Sequence, residues 1–357
     1  MKKNIIYNEN CYYQTFLDNE FENTTFIQSL IEERDRNPDT VVTIIHHTDL
    51  DGIFAAQLTK EYCHNVLAIH NIKLIAYNYK KDFDFRYKIL PNSKFVFIVD
   101  LSPNLKTLFD ITNISDRKIM LIDHHIGSIR TLIENREHAE YDRIIDHFDI
   151  YVNINGCGAM NCFNLMKNSV CADGTKFGSR FNERAIYLTD VYDRWLQIDD
   201  KYWADCLNKY MYTSEQLYVD SKEMEKIILK SDNSYLSEAL TKGNTYLQLE
   251  KQLNAFKYND FHEELTLHTP DGKDYKACVM WGPGNSQLFG DHINDFDVVI
   301  RANYNKEDDE YYFSFYTVKE DVDCCAIAKQ YLGGGHAKAS AASTTYNILN
   351  KKWKVDN

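Results

Sequence analysis

The chain has 357 residues, 44% of them hydrophobic, with 53 acidic against 40 basic side chains and a formal net charge of −13. That length exceeds one ordinary domain and fits two, each with its own core. An acidic balance with no dense Lys/Arg run excludes a surface for long duplex nucleic acid, whose non-specific affinity comes mostly from phosphate neutralisation.

No early apolar run with a basic flank and no uninterrupted apolar stretch of about 18 residues occurs, so neither a signal peptide nor a membrane span is expected. Nine scattered cysteines without a CxxC pair predict reduced thiols and a cytoplasmic setting. Residues 1–37 are polar and aromatic, with a helix expected over 25–33 and a turn at Asn37-Pro38-Asp39. They read as an N-terminal extension packed on the first domain.

Residues 41–45 are a β-branched run suited to a central strand. It ends in His46-His47-Thr48-Asp49-Leu50-Asp51-Gly52, ahead of helical spacing at 53–58. Alternate residues of an extended loop point the same way, so His47, Asp49 and Asp51 can converge on a cation. Equally, Asp in a first helical turn is a common N-cap. Residues 74–77 form a second strand. The run 97–99 then stops at Asp100, and 119–122 stops at Asp123-His124-His125. An apolar run that ends abruptly in an acid or imidazole is the pattern of a buried parallel strand delivering a functional group to a crevice. A single Asp at a strand end is more often a cap, whereas two adjacent imidazoles beside an acid are hard to explain by packing.

Residues 155–166 read as a glycine loop, Gly156-Cys157-Gly158, followed by a helix; the loop is either a plain turn or an amide cradle for a phosphate. Asp190 and Asp193 lie three apart, so on a helix they share a face. Residues 205–261 carry polar helical patterning and form the expected connector. From 262 the period changes to strands at 264–268, 275–281, 296–302 and 311–316, with helices over 285–293 and 322–331. Gly333-Gly334-Gly335-His336 follows, either as a helix cap or as a backbone that approaches a ligand closely, with His336 donating to it.

His47-Thr48-Asp49-Leu50-Asp51-Gly52, Asp100, Asp123-His124-His125 and an Asp within Tyr187-Leu188-Thr189-Asp190-Val191-Tyr192-Asp193-Arg194-Trp195 together resemble the four ordered motifs of the DHH phosphoesterase superfamily. Gly333-Gly334-Gly335-His336-Ala337-Lys338-Ala339-Ser340 resembles the glycine-rich signature of its associated C-terminal domain. The resemblance spans about residues 40 to 345. Leu50 between the two acids and the Tyr-Asp-Arg-Trp element are most similar to the NrnB type of oligoribonuclease and nucleotide phosphodiesterase.

The resemblance implies a bilobed α/β protein. A parallel sheet flanked by helices over 38–204 would hold two Mn²⁺ or Mg²⁺ ions, a helical connector would span 205–261, and a smaller mixed α/β substrate domain would span 262–357. It implies Asp100 as bridging ligand and His47, Asp49, Asp51, His124 and Asp193 as further ligands. Asp190 is the alternative in the fourth motif, favoured by the end of the apolar run at 185–188. Asp123 would orient an imidazole and His125 would face the scissile phosphate. Gly333, Gly334, Gly335 and His336 would bind substrate. Relatives carry an Arg where Tyr316 stands, with Arg301, Lys319 and Lys338 as candidate replacements. Carboxylates with a few imidazoles and no thiolate suit Mn²⁺ rather than structural zinc. The implied activity is two-metal hydrolysis of short oligonucleotides or linear and cyclic dinucleotides to nucleoside 5′-monophosphates. Hydrolysis of phosphoadenosine phosphate or pyrophosphate, RecJ-like exonuclease action and a non-catalytic nucleotide sensor are the alternatives.

Overall fold

The first unit is built on a seven-stranded sheet. A hairpin of Ile5–Asn8 (β1) and Cys11–Gln14 (β2) lies antiparallel to Phe148–Asn153 (β7). Beyond β7 come Lys118–Asp123 (β6), Phe95–Val99 (β5), Val41–His47 (β3) and Asn71–Tyr77 (β4), all parallel, in the order β7-β6-β5-β3-β4. The computed structural model describes residues 5–8, 11–14, 21–78, 93–103, 117–134, 147–214, 217–229 and 233–350.

Every residue of β5 is buried, so both faces of the sheet need an apolar cover. On one face Val42, Ile44, Phe97, Val99, Met120 and Ile122 pack with residues of Thr25–Arg36 (α1) and Leu50–Asn65 (α2). On the other, Ile45, Val96, Ile98, Leu121 and Ile150 meet Ile129 and Leu132 of Ile126–Glu134 (α3). Gly158–Met166 (α4) and Glu183–Asp193 (α5) join the first layer, and Lys201–Thr213 (α6), Lys222–Ile228 (α7) and Asn233–Phe261 (α8) follow. This is the parallel, helix-flanked architecture expected of the first domain.

The described residues among 1–37 do more than lie on that domain. The hairpin extends its sheet, and Phe26, Ile27 and Leu30 enter its core. Thr24 caps α1 through the Ile27 N–H, and buried Asp149 of β7 accepts the Phe26 N–H at 2.5 Å. An acid within β7 interrupts the apolar run, which is why the pattern did not announce this strand.

The chain divides into two compact units, Met1–Tyr246 and Leu247–Asn357. In the second, Glu263–His268 (β8), Asp274–Trp281 (β9), Val298–Asn305 (β10), Glu310–Tyr316 (β11), Gly334–Gly335 (β12) and Ala339–Thr344 (β13) form a sheet ordered β12-β13-β11-β10-β9-β8. Only β9 and β10 run parallel, so the sheet is mixed. Cys324–Lys329 (α9) packs Cys324, Ile327 and Ala328 on its core. Two expected helices differ. The one at 285–293 is a 3-10 segment, Ser286–Asp295, broken at Gly290 with φ 51°. The one at 322–331 shortens to α9, because Asp323 caps its start and Leu332, at φ 60°, leaves helical geometry after it. All nine cysteines are thiols rather than disulfides, and among the described residues no helix is long and apolar enough to cross a membrane.

Candidate metal centre

Because β3, β5 and β6 are parallel neighbours, whatever follows their last residues is delivered to one edge of the sheet. His47 closes β3, and its Nδ1 lies 2.8 Å from Asp49 Oδ2 and 3.9 Å from Asp100 Oδ2. His124 follows β6, with Nε2 3.1 Å from Asp100 Oδ1, 3.3 Å from Asp193 Oδ2 and 3.6 Å from Asp51 Oδ2. Asp100 thus stands between two groups, His47 with Asp49 and His124 with Asp51 and Asp193.

Local structure explains each placement. Asp49 caps α2 by accepting the Gly52 N–H at 2.9 Å, and its other oxygen meets His47. Gly52 is required there, since a Cβ would lie 2.5 Å from the His47 carbonyl oxygen. Asp100 has φ 53°, a left-handed conformation that Asp tolerates better than most residues. Its N–H bonds the Ile122 carbonyl at 2.9 Å, which ties it to β6.

Asp51 accepts the Gly158 and Ala159 N–H groups, one on each oxygen, both at 2.7 Å. The loop Gly156-Cys157-Gly158, a turn or a phosphate cradle by sequence, thus cradles a carboxylate of the chain itself. A Cβ on Gly158 would sit 2.5 Å from Asp100 Cβ. No spacing pointed to this role, because its partner lies over a hundred residues away.

Asp190 and Asp193 part company. Asp193 Oδ2 faces His124, whereas Asp190 accepts the Cys157 N–H at 2.6 Å and both Nε and Nη2 of Arg194, at 2.8 and 2.7 Å. Asp190 belongs to none of the converging ligand groups among the described residues.

His125 Nδ1 is 2.7 Å from Asp123 Oδ1, and Ser128 Oγ donates to Asp123 Oδ2. Burial, then Asp51 and Asp49, pushes both Asp100 and Asp193 well above the usual carboxylate range. Although burial works against charge in both partners, Asp123 is held down at about 2 by His125, and His125 is held up at about 9 by Asp123. Burial and the neighbouring His125 lower the His124 pKa.

Both oxygens of Asp100, Nε2 of His124 and Oδ2 of Asp193 are buried and make no hydrogen bond. Orphaned polar atoms of this kind are costly, and bound divalent cations would satisfy them. The donor set of carboxylate oxygens and imidazole nitrogens fits Mn²⁺ or Mg²⁺.

In the second unit, a Cβ on Gly333 would meet the Ala341 carbonyl oxygen at 2.1 Å, and Gly335 has φ 138°. These glycines let β12 close onto β13, with the His336 N–H donating to Ala339 at 2.7 Å. Arg301, on β10, donates its Nε–H to the Gly284 carbonyl. Lys319 and Lys338 both reach backbone carbonyls, of Asn294 and Lys319.

No family profile and no curated protein sequence matches the chain. Among solved structures, the DHH domain of a protein described as a member of a ribosomal-protein family aligns over 89% of this chain and 88% of its own, at 16% identity and a TM-score of 0.51. RecJ in complex with Mn²⁺ from Thermus thermophilus aligns at 11% identity and a TM-score of 0.48, over 88% of this chain and 51% of RecJ, so this chain spans about half of that protein. A pGpG-specific phosphodiesterase from Vibrio cholerae aligns at 11% identity and a TM-score of 0.32, over 85% of this chain and 92% of its own. At 16% identity the likeness to the first of these is one of architecture alone. In fold, this chain is similar to that DHH domain.

Proposed function

We propose that the chain is a divalent-metal-dependent phosphodiesterase, using Mn²⁺ or Mg²⁺, that hydrolyses short oligonucleotides or linear and cyclic dinucleotides to nucleoside 5′-monophosphates. One observation carries this reading: Asp100, buried with both oxygens lacking a hydrogen bond, stands between His47 with Asp49 and His124 with Asp51 and Asp193. Two ions sharing Asp100 would satisfy that arrangement. When bound, such ions supply Lewis acidity to a phosphoryl oxygen and lower the pKa of bound water.

The chain's own groups do the rest. Asp123 fixes the His125 ring through Nδ1 and holds its pKa up at about 9, so its Nε2–H is the proposed donor to a phosphoryl oxygen. Asp190 serves as the holder of a helix end rather than as a ligand. In the second unit Gly333, Gly334, Gly335, His336 and Arg301 are the proposed substrate-binding residues. The net charge of −13 favours short substrates over polymers, and nine thiols without a disulfide fit a reducing compartment such as the cytoplasm.

The test is to incubate purified protein and Mn²⁺ with pApA, cyclic dinucleotides, phosphoadenosine phosphate and longer single-stranded DNA, measuring release of 5′-monophosphate. Turnover of dinucleotides that Asp100→Ala abolishes is the expected result. Tight nucleotide binding with no turnover of any substrate would overturn the reading in favour of a sensor.

A further inference from the structure

Three successive amides at the start of α4 hold two carboxylates. The Cys157 N–H goes to Asp190 Oδ1, and those of Gly158 and Ala159 go to the two oxygens of Asp51. First-turn amides have no partner within their own helix, and the helix dipole favours negative charge there. Asp51 and Asp190 are both buried, at 2% and 4% exposure, yet they face different ways. Asp51 is turned toward His124, while Asp190 is clasped by the guanidinium of Arg194 through two hydrogen bonds.

The geometry has a consequence for Asp193. It is the last residue of α5, next to Arg194, three residues on from Asp190, and its Oδ2 lies 3.3 Å from His124. Asp190 therefore ties the turn of α5 that carries Asp193 to the turn of α4 whose amides orient Asp51. Each amide occupies one acceptor site of a carboxylate oxygen, which leaves Asp51 lone pairs for a cation. If that tie slackens, the distance between Asp193 and Asp51 is no longer set.

We propose that Asp190 and Arg194 are positioning residues of the metal centre: their bidentate pair fixes Asp193 relative to the amides that hold Asp51, and so sets cation affinity without either residue touching an ion. The inference rests on the metal-centre reading and deepens it. A planar fork is what the geometry uses, since Arg194 must reach both oxygens while Asp190 keeps a site for Cys157.

The experiment is Mn²⁺ titration of the full chain by calorimetry, without substrate, alongside melting temperatures in chelator. Arg194→Ala and Asp190→Asn are expected to weaken Mn²⁺ binding by about 10- to 100-fold, the range seen when a partner that orients a ligand is removed. Arg194→Lys keeps the charge, loses the fork and should recover only part of that loss. Arg184→Ala, which breaks the exposed pair of Arg184 with Asp200 on the same helix, should leave affinity unchanged. Arg194→Lys and Asp190→Asn alter shape little, so the question survives if Arg194→Ala fails to fold. Unchanged Mn²⁺ affinity in the folded variants, with only the metal-free melting temperature lowered, would reduce the pair to a structural clasp and overturn the inference. A parent chain that binds no Mn²⁺ would also overturn it. Because no turnover is measured, weakened binding in the variants supports it even if the proposed reaction proves wrong.

Discussion

Asp100 combines a left-handed backbone, φ 53°, with a carboxylate whose two oxygens are buried without a hydrogen bond. Asp51, Asp49, Asp193 and Asp123 add to the cost of charging it. Like charges in a poorly solvated pocket repel strongly. Asp100→Asn should therefore raise the melting temperature of the metal-free protein while abolishing the stabilisation given by Mn²⁺, as thermal melts with and without the metal would show. It should also lower kcat/KM by more than about 100-fold, beyond the loss from removing an orienting partner alone. The pH dependence has a definite sign. A carboxyl raised by folding keeps its proton where the unfolded chain has lost it, so metal-free stability falls as pH climbs from the ordinary carboxylate range toward the folded values of Asp100 and Asp193. Metal binding must displace those protons. The gap between Mn²⁺-loaded and metal-free melting temperatures should widen from acid to neutral pH, and a constant gap would contradict the ligand assignment. The pair of His125 and Asp123 works oppositely at its two ends. Its His125 contribution is present below the ordinary imidazole value and lost as pH rises through about 9, and its Asp123 contribution is lost as pH falls through about 2. With His125 as the proposed donor, Asp123→Asn should lower the pH at which activity is lost on the alkaline side, as a pH–rate profile would show.

At the scale of elements, the edge of the sheet is assembled by close approaches that only glycine permits. A Cβ on Gly158 would lie 2.5 Å from Asp100 Cβ, and one on Gly243 would lie 1.9 Å from the Cys206 carbonyl oxygen, where α8 crosses α6. Gly158→Ala should destabilise the fold by about 1–3 kcal/mol and weaken Mn²⁺ binding as well. Gly243→Ala should destabilise at least as much but leave the Mn²⁺ affinity of the folded protein intact, a contrast that urea unfolding paired with metal titration would read directly. Strands β3, β5 and β6 were legible because each is an apolar run that stops at a functional group. Strand β7 was not, because Asp149 breaks its run to receive the Phe26 N–H from α1, a bond between residues far apart in sequence. The segment 286–295 misled for the opposite reason: its apolar spacing is helical, but Gly290 at φ 51° breaks it into 3-10 turns.

For the whole molecule the governing quantity is a net charge of −13. The anionic substrate we propose would approach against that field, which salt screens within about 8–10 Å at moderate ionic strength. Raising salt should thus leave kcat/KM for a dinucleotide unchanged or increase it, the reverse of a protein that captures polymers on a basic track. A steep fall with salt, measured at fixed Mn²⁺, would point to a basic substrate channel instead.

By itself the order of residues determined which side chains are able to bind cations, that they arrive at strand ends, and that a parallel sheet precedes a mixed one. Donor chemistry and apolar periodicity are properties of short stretches, so they can be read without a fold. Tertiary structure alone decided that Asp193 rather than Asp190 faces His124, and that the Gly158 and Ala159 amides serve Asp51 instead of a ligand. Those outcomes depend on how α4 and α5 dock on the strand ends, and residues three apart on one helix cannot be told apart until their neighbours are in place.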